Sequence, residues 1–95
     1  MSAYLIGNVE IRDANAIAEY RRQALPLVEK FGGRALVIDG AAEFFEGNWL
    51  PRNMILLEFP NIEAIQGLLS SPEYAPLVAM RRANAHTDLV AFETA

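Results

Sequence analysis

The stretch NMILLEFP, residues 53–60, decides the fold, because it has the pattern of a β-strand that is apolar on both faces. Side chains alternate between the two faces of a strand. One face therefore carries Met54, Leu56 and Glu58, and the opposite face carries Ile55, Leu57 and Phe59. A layer of helices covers only one face of a sheet, so the second apolar face predicts a second cover of its own.

Strand patterns recur at three other places in the chain. Residues 3–9 (AYLIGNV) and 34–40 (RALVIDG) precede the central stretch, and residues 87–94 (TDLVAFET) follow it. Short runs rich in β-branched and aromatic residues are typical of strands. We also expect residues 42–47 (AEFFEG) to continue the second strand after a bend at Gly40.

Helical patterns occupy the two long intervals between these strands. Asp13 can cap the first helix, whose apolar residues recur at helical spacing up to the left-handed stop at residues 32–33 (GG). The second helix starts at residues 60–61 (PN) and breaks at residues 70–76 (SSPEYAP). Pro76 can occupy the first turn of a helix, so we expect the helix to restart there.

The resulting order is β-α-β-β-α-β within a single domain, residues 1–95. Short connections and right-handed crossovers make this an α+β fold, the ferredoxin-like sandwich, with a four-stranded antiparallel sheet and helices on one face. Apolar residues make up 53% of the chain, and the free sheet face can hold the surplus. We therefore predict a homodimer through the open sheet face, which is the arrangement of a dimeric α/β barrel.

Charge and composition narrow the classes of partner. The net charge of −4 and the isoelectric point near 4.8, with one lysine and scattered arginines, argue against a nucleic-acid partner. The chain has no cysteine and a single histidine, so we expect no metal site and no cofactor. No signal peptide and no apolar run that could cross a bilayer are visible, so we expect no membrane partner and a cytoplasmic protein.

Two titratable residues are candidates for proton transfer. If helices cover the Ile55 face, Glu58 points into the dimer cavity, where desolvation would raise its pKa and suit it to act as a general base. His86 precedes the last strand and is a candidate proton shuttle. Alternatively, Glu58 is a structural acid that pairs with an arginine. The alternative for His86 is a helix cap that faces water.

The stretch FFEGNWLPRN, residues 44–53, supplies two candidate ligand-binding residues. Trp49 is either a lid over the mouth of the dimer cavity or an anchor that packs on the partner subunit. Arg52 either holds an anionic ligand or, together with Glu46, brackets the turn. Both interpretations place this loop at the edge of the cavity.

Four residues outside that loop complete the predicted ligand-binding set. Asn8 and Asp39 are polar interruptions of the first and second strands, as expected of residues that line a pocket. Tyr74 follows the helix break and is predicted to close one end of the cavity. Arg81 lies on a mostly buried face of the last predicted helix, where the charge of an arginine needs a carboxylate as its partner. The candidate partners are Glu58, Asp88 and Glu46.

Residues spread along the chain share a pattern with a known family: Tyr4, Tyr20, FGGR (31–34), EGNWLPR (46–52), LEFP (57–60), SPEY (71–74), Arg81 and DLV (88–90). In these residues the sequence resembles the bacterial family called domain of unknown function 1330, of the dimeric α/β-barrel superfamily. EGNWLPR and SPEY are the more specific motifs, whereas Phe31 stands where a tyrosine is common. The resemblance implies a homodimer with a cavity between two sheets, and it implies no particular reaction.

Two hypotheses of function remain open. In the first, the homodimer binds a small, partly apolar molecule between its sheets, and any chemistry is cofactor-independent proton transfer with Glu58 as base and Arg52 or His86 as polar partner. In the second, the protein is a non-catalytic assembly or interaction module with a filled barrel. Glu58 is then locked to an arginine, and Trp49 is buried against the partner subunit. The sequence does not decide whether the protein is an enzyme.

Overall fold

The computed structural model describes residues 1–94, and it contains an antiparallel sheet with a layer of helices on one face. The strands are β1 (Ala3–Ile11), β2 (Arg34–Gly40), β3 (Asn53–Phe59) and β4 (Ala85–Glu93). The helices are α1 (Ala14–Lys30), α2 (Ile62–Leu69) and α3 (Ala75–Asn84). The strand order β2-β3-β1-β4 confirms the predicted ferredoxin-like α+β fold. The sheet is open and does not close into a barrel within one chain.

The helices begin and end where the sequence predicts. The Asp13 carboxylate accepts a hydrogen bond from the backbone N–H of Ala16 at 3.1 Å, which caps α1. Gly32 has a φ of 88° just after α1, so it is the left-handed stop. The Asn61 side chain caps α2 by accepting from the Ala64 N–H at 2.9 Å. After the break, Pro76 lies in the first turn of α3.

The predicted continuation of the second strand is wrong. Residues 41–52 form neither helix nor strand. The reason is the register of the sheet, in which Gly40 already lies opposite Met54, one residue from the start of β3 at Asn53. Residues 42–47 therefore have no strand residues opposite them to pair with. This segment is solvent-exposed throughout.

β1 lies between β3 and β4, and its register assigns side chains to the two faces of the sheet. Leu5 pairs with Leu57 and with Ala91, and these residues face the helices. Within residues 1–94 no helix lies on the opposite face, and we call it the open face. Its residues are Tyr4, Ile6, Asn8 and Glu10 of β1, Arg34 and Val37 of β2, Met54, Leu56 and Glu58 of β3, and His86, Asp88, Val90 and Phe92 of β4. Glu58 thus lies on the predicted face.

The core lies between the sheet and the helices. Its most completely buried side chains come from α1, β3 and α2, and they are Ile17, Phe59, Ile65 and Leu68. Gly33 allows the chain to pass over the Phe59 ring, because a Cβ atom at residue 33 would lie only 2.5 Å from Phe59 Cε2. Gly67 is different, since a Cβ atom there would make ordinary contacts of 3.6 Å with the Phe31 ring.

Gly33→Ala and Gly67→Ala are a matched pair with opposite expected effects. Gly33→Ala should lower the free energy of unfolding by about 1–3 kcal/mol, because the buried Phe59 ring cannot move away without disturbing the core. Gly67→Ala lies in α2 and should raise it by roughly 0.5–1 kcal/mol, through the better helix propensity of alanine. Urea unfolding of both variants measures these changes. Equal effects of the two substitutions would contradict the packing described for Gly33.

Candidate functional site

The eight predicted site residues lie in four separate places. Four of them line a pocket of about 260 Å³ at one end of the open face, which we call the open-face pocket: Asn8, Trp49, Arg52 and His86. Two others, Tyr74 and Arg81, line a cavity between the sheet and the helices, which we call the inner cavity. Glu58 and Asp39 lie outside both of these spaces.

The open-face pocket is built by the pairing of β1 with β4 and by the loop before β3. Asn8 lies opposite Asp88 and Glu10 lies opposite His86, so the four side chains share one patch of the open face. The loop adds further walls, which are Asn48, Trp49, Leu50 and Arg52. His86 is the second residue of β4, so the alternative of a helix cap is not the arrangement found.

Asn8 fastens the loop to the sheet. Its side-chain amide donates to the Leu50 carbonyl at 3.1 Å, and its side-chain carbonyl accepts from the Arg52 backbone N–H at 2.7 Å. Both functions of this buried amide are therefore used within the protein. Asn8 holds Trp49 and Arg52 at the pocket rather than offering free hydrogen-bonding groups to a ligand.

The charged groups of the open-face pocket form two loose pairs. Arg52 Nη2 lies 3.4 Å from Glu10 Oε2, and His86 Nε2 lies 3.4 Å from Asp88 Oδ1. All four side chains are at least half exposed, so water screens these contacts. The Arg52 guanidinium and the His86 ring can consequently exchange these carboxylate partners for a ligand at small cost. Asp88, which was one of the three candidate partners of Arg81, faces His86 instead.

Glu58 forms a fixed ion pair elsewhere on the open face. Arg34 Nε donates to Glu58 Oε1 at 2.7 Å, Arg34 Nη2 lies 2.7 Å from the same oxygen, and the Tyr4 hydroxyl donates to Oε2 at 3.1 Å. Hydrogen bonds from Arg34 and then Tyr4 lower the pKa of Glu58 below its ordinary value. The expectation of a pKa raised by desolvation is therefore wrong, and a base role for Glu58 stays a prediction.

Arg34→Gln should raise the pKa of Glu58 toward the ordinary glutamate value, because it removes the largest cause of the lowering. Tyr4→Phe removes only the second cause and should raise this pKa less. Since the folded pKa is lowered, the ion pair stabilises the fold above the ordinary carboxyl pKa, and that stability is lost as the pH falls through the lowered value. Carbon-detected NMR titration of the Glu58 carboxyl measures the shift. If the pKa of Glu58 rose more in Tyr4→Phe than in Arg34→Gln, Tyr4 rather than Arg34 would be the main hydrogen-bond partner of Glu58.

Arg81 does not meet any of its three predicted carboxylates. In the part of the chain that the structure describes, residues 1–94, no acid lies within salt-bridge distance of it. It lies beside Tyr20 and Tyr74, whose hydroxyl oxygens share a hydrogen bond of 2.5 Å. Burial and the neighbouring Tyr74 raise the pKa of Tyr20, and the Arg81 charge opposes that rise.

Asp39, the last of the predicted residues, is held by α1 rather than by a pocket. Arg21 Nη1 donates to Asp39 Oδ2 at 2.5 Å, and Asp39 has a φ of 54°. The residue belongs to the irregular end of β2, where the register with β3 shifts. Its polar character is explained by this turn and ion pair.

The sequence analysis missed several residues that line these two spaces, among them Glu10 and Thr87. Glu10 lines the open-face pocket, and its position two residues after Asn8 on the same strand face was the available signal. Thr87 lines the inner cavity with a buried hydroxyl. Its location depends on the pairing of β4 with β1, which no local pattern reveals. Among residues 1–94, no group of three or more His, Cys, Asp or Glu side chains is placed to hold a metal ion.

The fold and these two spaces define a small ferredoxin-like α+β protein with an open sheet face. The chain matches the profile of the domain of unknown function DUF1330 over residues 2–95, and it belongs to that family. No curated protein matches it in sequence. No helix within residues 1–94 is long and apolar enough to span a membrane.

Solved structures with the same fold include three informative neighbours. The RPA0582 protein of unknown function from Rhodopseudomonas palustris is 20% identical with a TM-score of 0.80, over 99% of this chain and 82% of that one. SnoaB, a cofactor-independent oxygenase from Streptomyces nogalater, is 11% identical with a TM-score of 0.73, over 99% and 93%. A dimeric ferredoxin-like protein of unknown function from Jannaschia is 15% identical with a TM-score of 0.62, over 99% and 100%. These identities show a shared fold only.

Proposed function

We propose that the protein is a homodimer formed through the open face, and that it binds a small, partly apolar molecule in the open-face pocket, between the two sheets. The observation that carries this proposal is an apolar sheet face left uncovered beside a pocket. A cytoplasmic location is part of the proposal and stays a prediction.

The open face supports the dimer through its exposed apolar side chains. Val37, Val90 and Phe92 are 37%, 58% and 48% exposed, although they belong to a regular sheet. The loop beside it exposes Phe45 and Trp49 to 86% and 55%. Contiguous apolar surface of this kind is typical of interfaces between subunits. The Jannaschia neighbour, which shares the fold, is described as dimeric.

Val90→Asp tests the proposed interface, because it places a charge at the most exposed apolar position of the sheet's open face. Light scattering coupled to size-exclusion chromatography should give a dimer for the natural protein and a monomer for this variant. Ala79→Asp, at an exposed position of α3 on the opposite side of the protomer, is the matched control and should remain dimeric. A natural protein that runs as a monomer would remove the proposed interface.

The open-face pocket supports ligand binding through its size and its mixed lining. Its volume of about 260 Å³ is close to the lower end of the roughly 300–1,000 Å³ found for ligand pockets. Trp49 offers an apolar ring, while Arg52 and His86 offer donors to an anionic or hydrogen-bonding group. A partner sheet across the open face would add the missing wall. The favoured ligand is a small aromatic or aliphatic carboxylate.

Any proton transfer in this pocket is better assigned to His86 than to Glu58. Glu58 is outside the pocket, and its lowered pKa makes its carboxylate a weaker base. His86 lines the pocket and has Asp88 beside it to orient the ring. SnoaB is a cofactor-independent oxygenase, so this fold supports chemistry without a cofactor. The fold likeness favours no reaction for this chain.

The second candidate function is the non-catalytic assembly module, and the Glu58–Arg34 ion pair is the observation that favours it. That hypothesis predicts a Glu58 carboxylate locked to an arginine, and the two groups lie 2.7 Å apart. It also predicts that Trp49 becomes buried against the partner. Under this hypothesis the dimer forms, but the open-face pocket is filled and binds no small molecule.

Titration with benzoate separates the two functions, because Trp49 is the only tryptophan and its fluorescence reports on the open-face pocket. Ligand binding predicts a saturable change in fluorescence, with an affinity about tenfold weaker in Arg52→Gln through loss of a charge-assisted contact. Arg22→Gln, at an exposed position of α1, is the control and should bind as the natural protein does. A dimer whose fluorescence does not respond to small carboxylates would favour the assembly module.

A further inference from the structure

The inner cavity is a second space, separate from the open-face pocket. It has a volume of about 80 Å³ and lies between the sheet and the helices. Apolar side chains from both layers form most of its wall, among them Leu5, Val28 and Leu57. Ile38 and Leu89 also line it and are 38% and 41% exposed, so solvent reaches its edge.

Two polar residues that line the otherwise apolar inner cavity, Arg81 and Thr87, carry buried atoms without partners. Within residues 1–94, neither Arg81 Nε nor the Thr87 hydroxyl has a hydrogen-bond partner. The neighbouring hydroxyls of Tyr20 and Tyr74 bond to each other. A buried polar atom left unpaired costs about 1–3 kcal/mol, and more when the group is charged. Two such atoms lining one small space indicate a missing partner.

Among residues 1–94, Arg81 also lacks the carboxylate partner that most other basic residues have, and unlike Arg82, which has none either but is exposed to water, it is partly buried. Five of them lie within salt-bridge distance of a carboxylate: Arg21, Arg22, Lys30, Arg34 and Arg52. Arg12 donates to two backbone carbonyls. Arg81 is partly buried, and no acid of residues 1–94 is placed to neutralise it. The partner missing from this cavity should therefore be an anion.

We propose that the inner cavity binds a short-chain monocarboxylate, whose carboxylate accepts hydrogen bonds from Arg81 Nε and the Thr87 hydroxyl and whose hydrocarbon chain packs on the apolar wall. The small volume sets the length of the chain, since an apolar protein cavity that takes up benzene measures about 150 Å³. A butyrate-sized molecule suits the site better than an aromatic acid. The binding site is distinct from the open-face pocket and does not require the dimer.

The two tyrosines fit an anion at this place. Burial and the adjacent Tyr74 keep Tyr20 protonated at neutral pH, because its pKa is raised. A protonated hydroxyl can donate to a carboxylate, whereas a phenolate would repel it. Because one of the two hydroxyls donates to the other, the remaining hydroxyl proton is the one that the carboxylate can accept.

Butyrate binding tests the site, with NMR detection of the arginine Nε–Hε groups. Addition of sodium butyrate should move the Arg81 signal in a saturable way, and Arg81→Gln should weaken binding, measured by calorimetry, by about tenfold or more. Butylamine, which has the same chain and the opposite charge, should not bind. Arg82→Gln, at the exposed neighbouring position of α3, should bind butyrate as the natural protein does.

Thr87→Val is a second variant for the case that Arg81→Gln does not fold. It removes only the Thr87 hydroxyl, and it should also weaken the binding of butyrate. The Arg81 signal reports on this site and not on the open-face pocket, because Arg81 does not line that pocket. An unmoved Arg81 signal, an unchanged affinity in both variants, or a crystal grown with butyrate that holds only an ordered water at Arg81 Nε would overturn the proposal.

Discussion

The structure depends on the position of β1, which is hydrogen-bonded on both sides. Because β3 and β4 both pair with it in register, the alternation of β1 decides which of their side chains meet the helices and which face outward. Leu57 and Ala91 lie opposite Leu5 in the sheet and therefore face the core with it. A shift by one residue would turn the core side chains of both neighbours to the open face, so a single register sets both layers of the protein.

The same register creates the two spaces on opposite faces of the sheet. On the open face it places Asn8 against Asp88 and brings His86 beside them. On the helix face it places Thr87 opposite Val9, close enough to the helix layer to share the inner cavity with Arg81. The binding properties of each face thus follow from one strand pairing, although the two sites have different electrostatics. One has loosely paired charges near water, and the other has an uncompensated cation among apolar groups.

Local signals in the sequence were enough to predict the fold, but they were not enough to predict which residues meet in the two sites. The cap at Asp13, the helix start at residues 60–61 and the alternation that placed Glu58 depend on signals within a few residues, and all three are found as predicted. The extension of the second strand was wrong because pairing requires an opposite strand, and residues 42–47 lie beyond the point where β3 begins. The partners of Glu58 and Arg81 come from distant segments, which no local pattern specifies.

Gly7 borders the inner cavity but does not create it. It lies on the helix face of β1, at the centre of the sheet, and it lines the cavity. A Cβ atom there would lie 3.2 Å from Leu89 Cδ2 and 3.5 Å from Ile55 Cβ, so a methyl group would press only on the flexible end of Leu89. The glycine therefore lets the Leu89 side chain pack against β1. Within residues 1–94, the buried Arg81 Nε and Thr87 hydroxyl are instead what favours an occupant, because a buried polar atom without a partner costs about 1–3 kcal/mol.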